Sequence, residues 1–315
     1  MEIRKAFNIA QRNHRINQLF LDESAKLPTT LLYRLKYLKM TMQLQFLWRT
    51  RSKIEITVPA TKAIATIYNF LVAGNKWESP IGHLIPRDMA SISFGDASFH
   101  GIGVANDNIK AIILLPFKEE LFHRMQMKKV HINIMELLTL FVGYIMYLHY
   151  YESQPDGTLP PHPQIKLYGD NISANKWFRT FSTNSDMATS ALLYFAEYMK
   201  YSPVSPVPAH VPGVENTTAD DISRVYQLFP NKKSFIYNVP YPLLLRQVCH
   251  KYNKMLNYNV FLLDPEIVSD LSFLVYSDYS TVVPKRRKNL GRFFPVSSIF
   301  SGFVNNTIYS DSFFL

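Results

Sequence analysis

Apolar and polar positions change rhythm several times along the chain. Up to about residue 85 the spacing is helical and the polar positions are basic, most clearly in LPTTLLYRLKYLKMTMQLQFLWRTRSK, with Pro59 and Pro80 as punctuation. This predicts a helical N-terminal segment over 1–88, a remnant or connection region. From Met89 the rhythm shortens to ASISFGDAS, GIGVAND and IKAIILLPF, separated by Gly and by the turn Asn106-Asp107-Asn108. Three adjacent strands are predicted.

A long apolar run around Glu136 follows and reads as a helix, then the Pro/Gly loop SQPDGTLPPHPQ and the buried-strand pattern IKLYGD. NISANKWF and MATSALLYFAEYMKY read as helices, a Pro-spaced strand ends at His210, and a capped helix closes the series. The order βββαβα(α)βα over 89–226 predicts an α/β domain: a mixed five-stranded sheet with helices on both faces. Beyond Tyr226 the pattern loosens. PLLLRQVCHKYNKML is helical in spacing, whereas VPKRRKNLGRFFPVSSIFSGFVNNTIYSDSFFL has no period, so 227–315 is expected to be an extension that is partly helical and then weakly ordered.

Composition narrows the class. Hydrophobic residues at 47% with 11 Gly indicate a folded chain, and 34 Lys+Arg against 24 Asp+Glu give +10, which attracts polyanions such as nucleic acid or anionic lipid. The single cysteine, Cys249, excludes an intrachain disulfide and a Cys-rich zinc site, and favours an intracellular protein. The N-terminal MEIRKAFNIAQRNHR lacks the apolar run of a secretory signal. Ile132 to Leu148 falls short of the roughly 20 residues of a spanning helix and carries Glu136, so it is read as a buried helix and no membrane partner is expected.

Candidate chemistry centres on acids. In HVPGVENTTADDISR the pair Asp220-Asp221 could be the tip of a polymerase palm, but Asn216, Thr217 and Thr218 precede it where apolar strand formers should stand. Those residues suit a helix N-terminus instead. Asp96 ends the first strand, on the face of Ile92 and Phe94 by the period of two. Glu136 lies off the helical arc of Ile134, Leu137, Phe141 and Ile145, with Gly143 on its own side. Asp170 ends a buried strand before a helix. Each acid alone has a structural explanation, as a turn residue, a solvated helix position or a cap. Together with Asp220 they fall where an open α/β sheet forms its crevice. Carboxylates so gathered repel unless divalent cations neutralise them, and all-oxygen ligands favour Mg²⁺ or Mn²⁺.

SFGDASFHGIGV, NIMELLTL, LYGDNISANKW and HVPGVENTTADDISR resemble the four motifs of ribonuclease H domains in retrotransposon polyproteins. The closing pattern His-x-Pro-Gly-x-x-Asn…Ala-Asp-x-x-Ser-Arg, with WESPIGHLIPRD ahead of the first motif, is most similar to DIRS-type and related retroelements. The resemblance covers about Trp77 to Tyr226. It implies a metal site of Asp96, Glu136, Asp170 and Asp220 holding two Mg²⁺ or Mn²⁺ ions, and cleavage of the RNA strand of RNA–DNA hybrids. It leaves Asp221 at a variable position, and Val214 and Glu215 where some members carry a mobile His. The upstream reverse transcriptase usual in the family is missing, which implies a fragment or degenerate copy and makes such a polymerase a candidate partner.

Weaker candidates have two readings each. Gly101 and Gly103 could admit a sugar–phosphate backbone, although a turn also explains Gly101. Asn171 could touch a 2′-hydroxyl or cap the next helix, and His210 could reach nucleic acid or serve the sheet end. The cluster Lys285 to Lys288 could hold nucleic acid, act as a nuclear address or be a solvated tail. Two other functions compete: a catalytically inactive nucleic-acid-binding remnant of the same fold, and a transposase or integrase, for which Glu197 follows Asp170 at too short an interval.

Overall fold

The computed structural model describes residues 89–155, 158–160, 163–181, 183, 185–199, 202–225, 241–276, 286–300 and 315. The helical segment expected over 1–88, and the motif at Trp77, lie outside them. Three strands open the described chain: β1 (Met89–Ala97), β2 (Gly101–Asn106) and β3 (Ala111–Pro116). Helices α1 (Glu119–Gln126) and α2 (Ile132–Ser153), strand β4 (Gln164–Gly169), helices α3 (Ile172–Thr180) and α4 (Asp186–Met199), and strand β5 (Ser205–His210) follow. A 3₁₀ turn, Gly213–Glu215, leads into α5 (Thr217–Ser223); then come α6 (Tyr241–Lys251), β6 (Asn259–Leu263), α7 (Pro265–Tyr276), β7 (Gly291–Pro295) and α8 (Val296–Phe300).

The fold is α/β with one mixed sheet in the order β5-β4-β1-β2-β3-β6-β7. Strand β2 runs antiparallel to both its neighbours, β1 and β3, whereas β4 and β5 lie parallel to β1. Pro206 and Pro208 fit because β5 is an edge strand, where a missing N–H costs no ladder bond. Among the described residues seven strands, not five, form the sheet: β6 pairs parallel to β3 and β7 antiparallel to β6. Residues 291–300, expected to be weakly ordered, form β7 and α8.

Helix α2 runs 22 residues, past Leu148 to Ser153, so by length and composition it could cross a membrane; 83% of its apolar window is buried inside the protein. Its apolar residues surround it because both sides are covered. Phe141 stacks on Phe195 of α4 with centroids 4.1 Å apart. Gly143 faces the sheet, where an added Cβ would lie 3.5 Å from Val104, 3.6 Å from Leu167 and 3.8 Å from Ser93. The body approaching the side shared by Glu136 and Gly143 is therefore the sheet. Helix α5 covers the opposite face, since a Cβ on Gly103 would overlap Ala219 and Ser223 while the next residue, Val104, points to α2. On the α5 face a second core joins Ile112, Leu114, Ile222, Leu244, Val248 and Val260.

Arg287 binds Asp270 of α7 through Nε (2.8 Å) and the terminal nitrogen Nη2 (2.6 Å), and Arg286 pairs with Glu152 of α2. These two members of the basic cluster are thus tied to the protein rather than forming a solvated tail.

Candidate metal centre

Strand β1 ends by carrying Asp96 into the protein, where it is 2% exposed. Gly95 before it admits α2 closely: an added Cβ would stand 2.6 Å from Thr139 Cγ2. That closeness sets Glu136, one turn earlier in α2, beside the strand end, with its Oε1 accepting from the Ala97 N–H at 3.4 Å. Glu136 is 6% exposed. The parallel register that aligns Phe94 with Tyr168 brings the end of β4 alongside, and Asp170 follows it. One carboxylate oxygen from each of Asp96, Glu136 and Asp170 lies within 4.8 Å of the others.

The electrostatics match that crowding. Burial pushes Asp96 up to about 6, with the charges of Asp220 and Asp170 adding to the shift and the Ser223 hydroxyl opposing it. Burial pushes Glu136 up to about 9, with Asp96 and Asp170 adding to the shift. Three gathered carboxylate oxygens, with the charged forms of Asp96 and Glu136 disfavoured, make a ready hard-cation site, since a cation offsets that penalty. The triad could hold a metal ion.

Asp220 adjoins the cluster without joining it. Its carboxylate takes Arg224 Nε at 2.7 Å, one helical turn on, and burial raises its pKa while Arg224 opposes the rise. Ser223 ties this helix to the site, donating to Asp96 Oδ2 at 2.5 Å, and Asn216 Nδ2 donates to the Gly95 carbonyl at 2.9 Å. Gly213 lets the preceding turn pass Asp170, where a Cβ would stand 3.1 Å from Oδ2. Ser223, Asn216 and Arg224 sit in the closing motif, but their partners belong to β1 and α5 and could be read only from the fold; the i, i+4 spacing of Asp220 and Arg224 was the one local signal.

Gly101 is buried beside the Leu115 carbonyl, 3.0 Å from an added Cβ, and Gly103 lies against α5. Asn171 caps α3, accepting from the Ala174 N–H at 2.9 Å, and donates to Asn133 Oδ1 at 2.9 Å. His210 is exposed at the end of β5, paired in register with Gly169. Asp221 turns away from the acids: its Oδ1 takes Lys251 Nζ at 2.6 Å, and Tyr252 donates to its Oδ2.

No protein family, curated protein or solved structure matches the chain.

Proposed function

We propose that the chain is a ribonuclease H-like nuclease that cleaves the RNA strand of RNA–DNA hybrids with two Mg²⁺ or Mn²⁺ ions. The observation that carries this reading is the acid triad, with oxygens from the end of β1, from α2 and from the β4–α3 junction within 4.8 Å of one another. Such a gathering of charges destabilises a fold that does not fill it. The four motifs resembling those of retrotransposon ribonuclease H domains supply these three acids and Asp220 beside them, which favours hybrid over other phosphodiesters.

Asp96, Glu136 and Asp170 would hold the ions, with Asp220 joining from α5. Ions held by these residues would supply activation of water and stabilisation of the leaving oxygen in an in-line displacement. The protein's own part is positional. Ser223 fixes the Asp96 carboxylate, and the Ala97 N–H fixes that of Glu136. The Asn216 tether to Gly95 holds the loop that brings α5 to the strand end. The net charge of +10 draws the polyanion in.

The test is incubation of the purified protein with Mg²⁺ and an end-labelled RNA–DNA hybrid. Cleavage confined to the RNA strand is expected; no cleavage above a protein-free control, from a folded sample, ends the enzymatic reading. The Arg224 pairing of Asp220 favours a second one, a nucleic-acid-binding protein that has lost catalysis, which binding without cleavage would select.

A further inference from the structure

A cavity of about 940 Å³ opens beside the acid cluster, between the β1–β2 turn and the α1–α2 connection. Phe99, His100, Phe122, Lys128, His131 and Arg224 are among its walls. Arg224 thus belongs to two places at once. One side of its guanidinium holds Asp220, and it also faces the cavity. Its positive charge opposes the raised pKa of Asp96, of Glu136 and of Asp220, so a single side chain offsets part of the repulsion among these acids.

A divalent ion at the triad would supply the same compensation from a shorter distance and would compete with the guanidinium for Asp220. The pair it would break is weak, because both side chains are substantially exposed, 46% for Arg224 and 36% for Asp220. A released guanidinium has the cavity next to it. There Lys128 adds a second cation, and Phe99, 44% exposed, offers a face on which a base or sugar can lie. The planar fork of arginine suits a phosphate.

Building on the two-metal reading above, we propose that Arg224 is the counter-ion of the acid cluster before an ion binds, and that metal binding frees it to hold a backbone phosphate of the nucleic-acid strand in the adjacent cavity. Arg224 is then a positioning residue that links occupation of the metal site to capture of the strand. Order of binding follows: ion first, strand second.

The experiment uses the full chain and its Arg224→Ala and Arg224→Lys variants. Calorimetric titration with Mn²⁺ alone should show Arg224→Ala binding the ion roughly 2- to 5-fold more tightly than wild type, the range of an exposed ion pair removed. Arg224→Lys should stay near wild type. Binding of a labelled RNA–DNA hybrid is then compared in EDTA and in Ca²⁺, which carboxylates accept with looser geometry than Mg²⁺. Wild type should gain affinity on adding Ca²⁺, and Arg224→Ala should lose roughly tenfold of that gain, with Arg224→Lys between them. Unchanged or weaker Mn²⁺ affinity in Arg224→Ala overturns the counter-ion role. An undiminished gain in hybrid affinity overturns the phosphate role. A wild type that binds Mn²⁺ but neither binds nor cuts hybrid sinks the ribonuclease reading, and the cavity's ligand with it, while the Mn²⁺ comparison still decides the counter-ion.

Discussion

Lys251 Nζ reaches Asp221 Oδ1 at 2.6 Å, and the neighbouring Tyr252 hydroxyl donates to the other oxygen, so Asp221 fastens α5 to α6 while Asp220, paired with Arg224, lies beside the acid cluster. The adjacent carboxylates can be separated by mutation. Asp221→Asn should cost stability by ~0.2–1 kcal/mol for the partly exposed ion pair, and keep most hybrid cleavage. Asp220→Asn should abolish Mg²⁺-dependent cleavage and leave ion-free stability unchanged or slightly higher, since it removes one charge that raises Asp96. Chemical denaturation and the labelled-hybrid assay read the two apart; a dead Asp221→Asn beside an active Asp220→Asn reverses the assignment. The buried pair adds a pH dependence. Asp96 and Glu136 rise from 3.8 and 4.5 to about 6 and about 9, so the folded state keeps protons that the unfolded chain has lost. Ion-free stability present below the lower values must then fall as pH climbs through about 6 and about 9. Mg²⁺, which favours the charged carboxylates, should flatten that fall. Melting curves from pH 4 to 9 in EDTA and in Mg²⁺ check this, and parallel curves would count against an assembled site.

Helix α5 reaches the site only because Gly103 lets it lie against β2: an added Cβ would meet the Ala219 carbonyl, come within 2.5 Å of Ser223 N and 2.8 Å of Ile222 Cβ. Those are backbone atoms and a β-branched stem, which cannot swing aside. Gly103→Ala should therefore shift α5 and cost about 1–3 kcal/mol, the size of a small-to-large change in a packed interior. It should also weaken cleavage, because Ser223 and Asp220 travel with the helix. A variant with unchanged denaturation midpoint and activity would show that the approach is slack. The same glycine marks where local pattern stops informing. Strands β1 to β5 and helix α2 were legible because apolar runs are bounded by strong turn residues, as at Asn106 to Asn108, and Asp96, Glu136 and Asp170 because strand ends and a helix position can be counted. What approaches Gly103 could not be read, since α5 is more than a hundred residues away and no local period encodes that contact. Strands β6 and β7 were missed for a related reason. NVFLL and GRFFP span five residues each, too short to show a period of two, and their pairing with β3 and with each other is long-range.

The sheet does not stop where the four motifs stop. Strand β3 has β6 on its outer side, and the core on the α5 face is shared between Ala105, Ile112, Leu114 and Ile222 on one part of the chain and Leu244, Leu245, Val248, Val260 and Leu262 on the other. Tyr241 adds a hydrogen bond of 2.9 Å from its hydroxyl to the Leu114 carbonyl. Farther round, Tyr194 of α4 donates to Asp270 of α7 at 2.9 Å, and Arg287 closes on the same carboxylate. A chain cut to residues 89–226 would keep Asp96, Glu136, Asp170 and Asp220 and lose the apolar cover of β3 and α5. Each large side chain uncovered costs roughly 1.5–3 kcal/mol of burial, against a total stability of only about 5–15 kcal/mol for a domain. The loss falls on α5, the helix that carries Asp220, Ser223 and Arg224. The truncated chain should therefore unfold without a sharp transition or aggregate, bind a hydrophobic dye, and fail to cut hybrid even in millimolar Mg²⁺. A fragment 89–226 that melts cooperatively and cleaves like the full chain would show instead that residues beyond 226 are an appendage, and that the site is complete within residues 89–226.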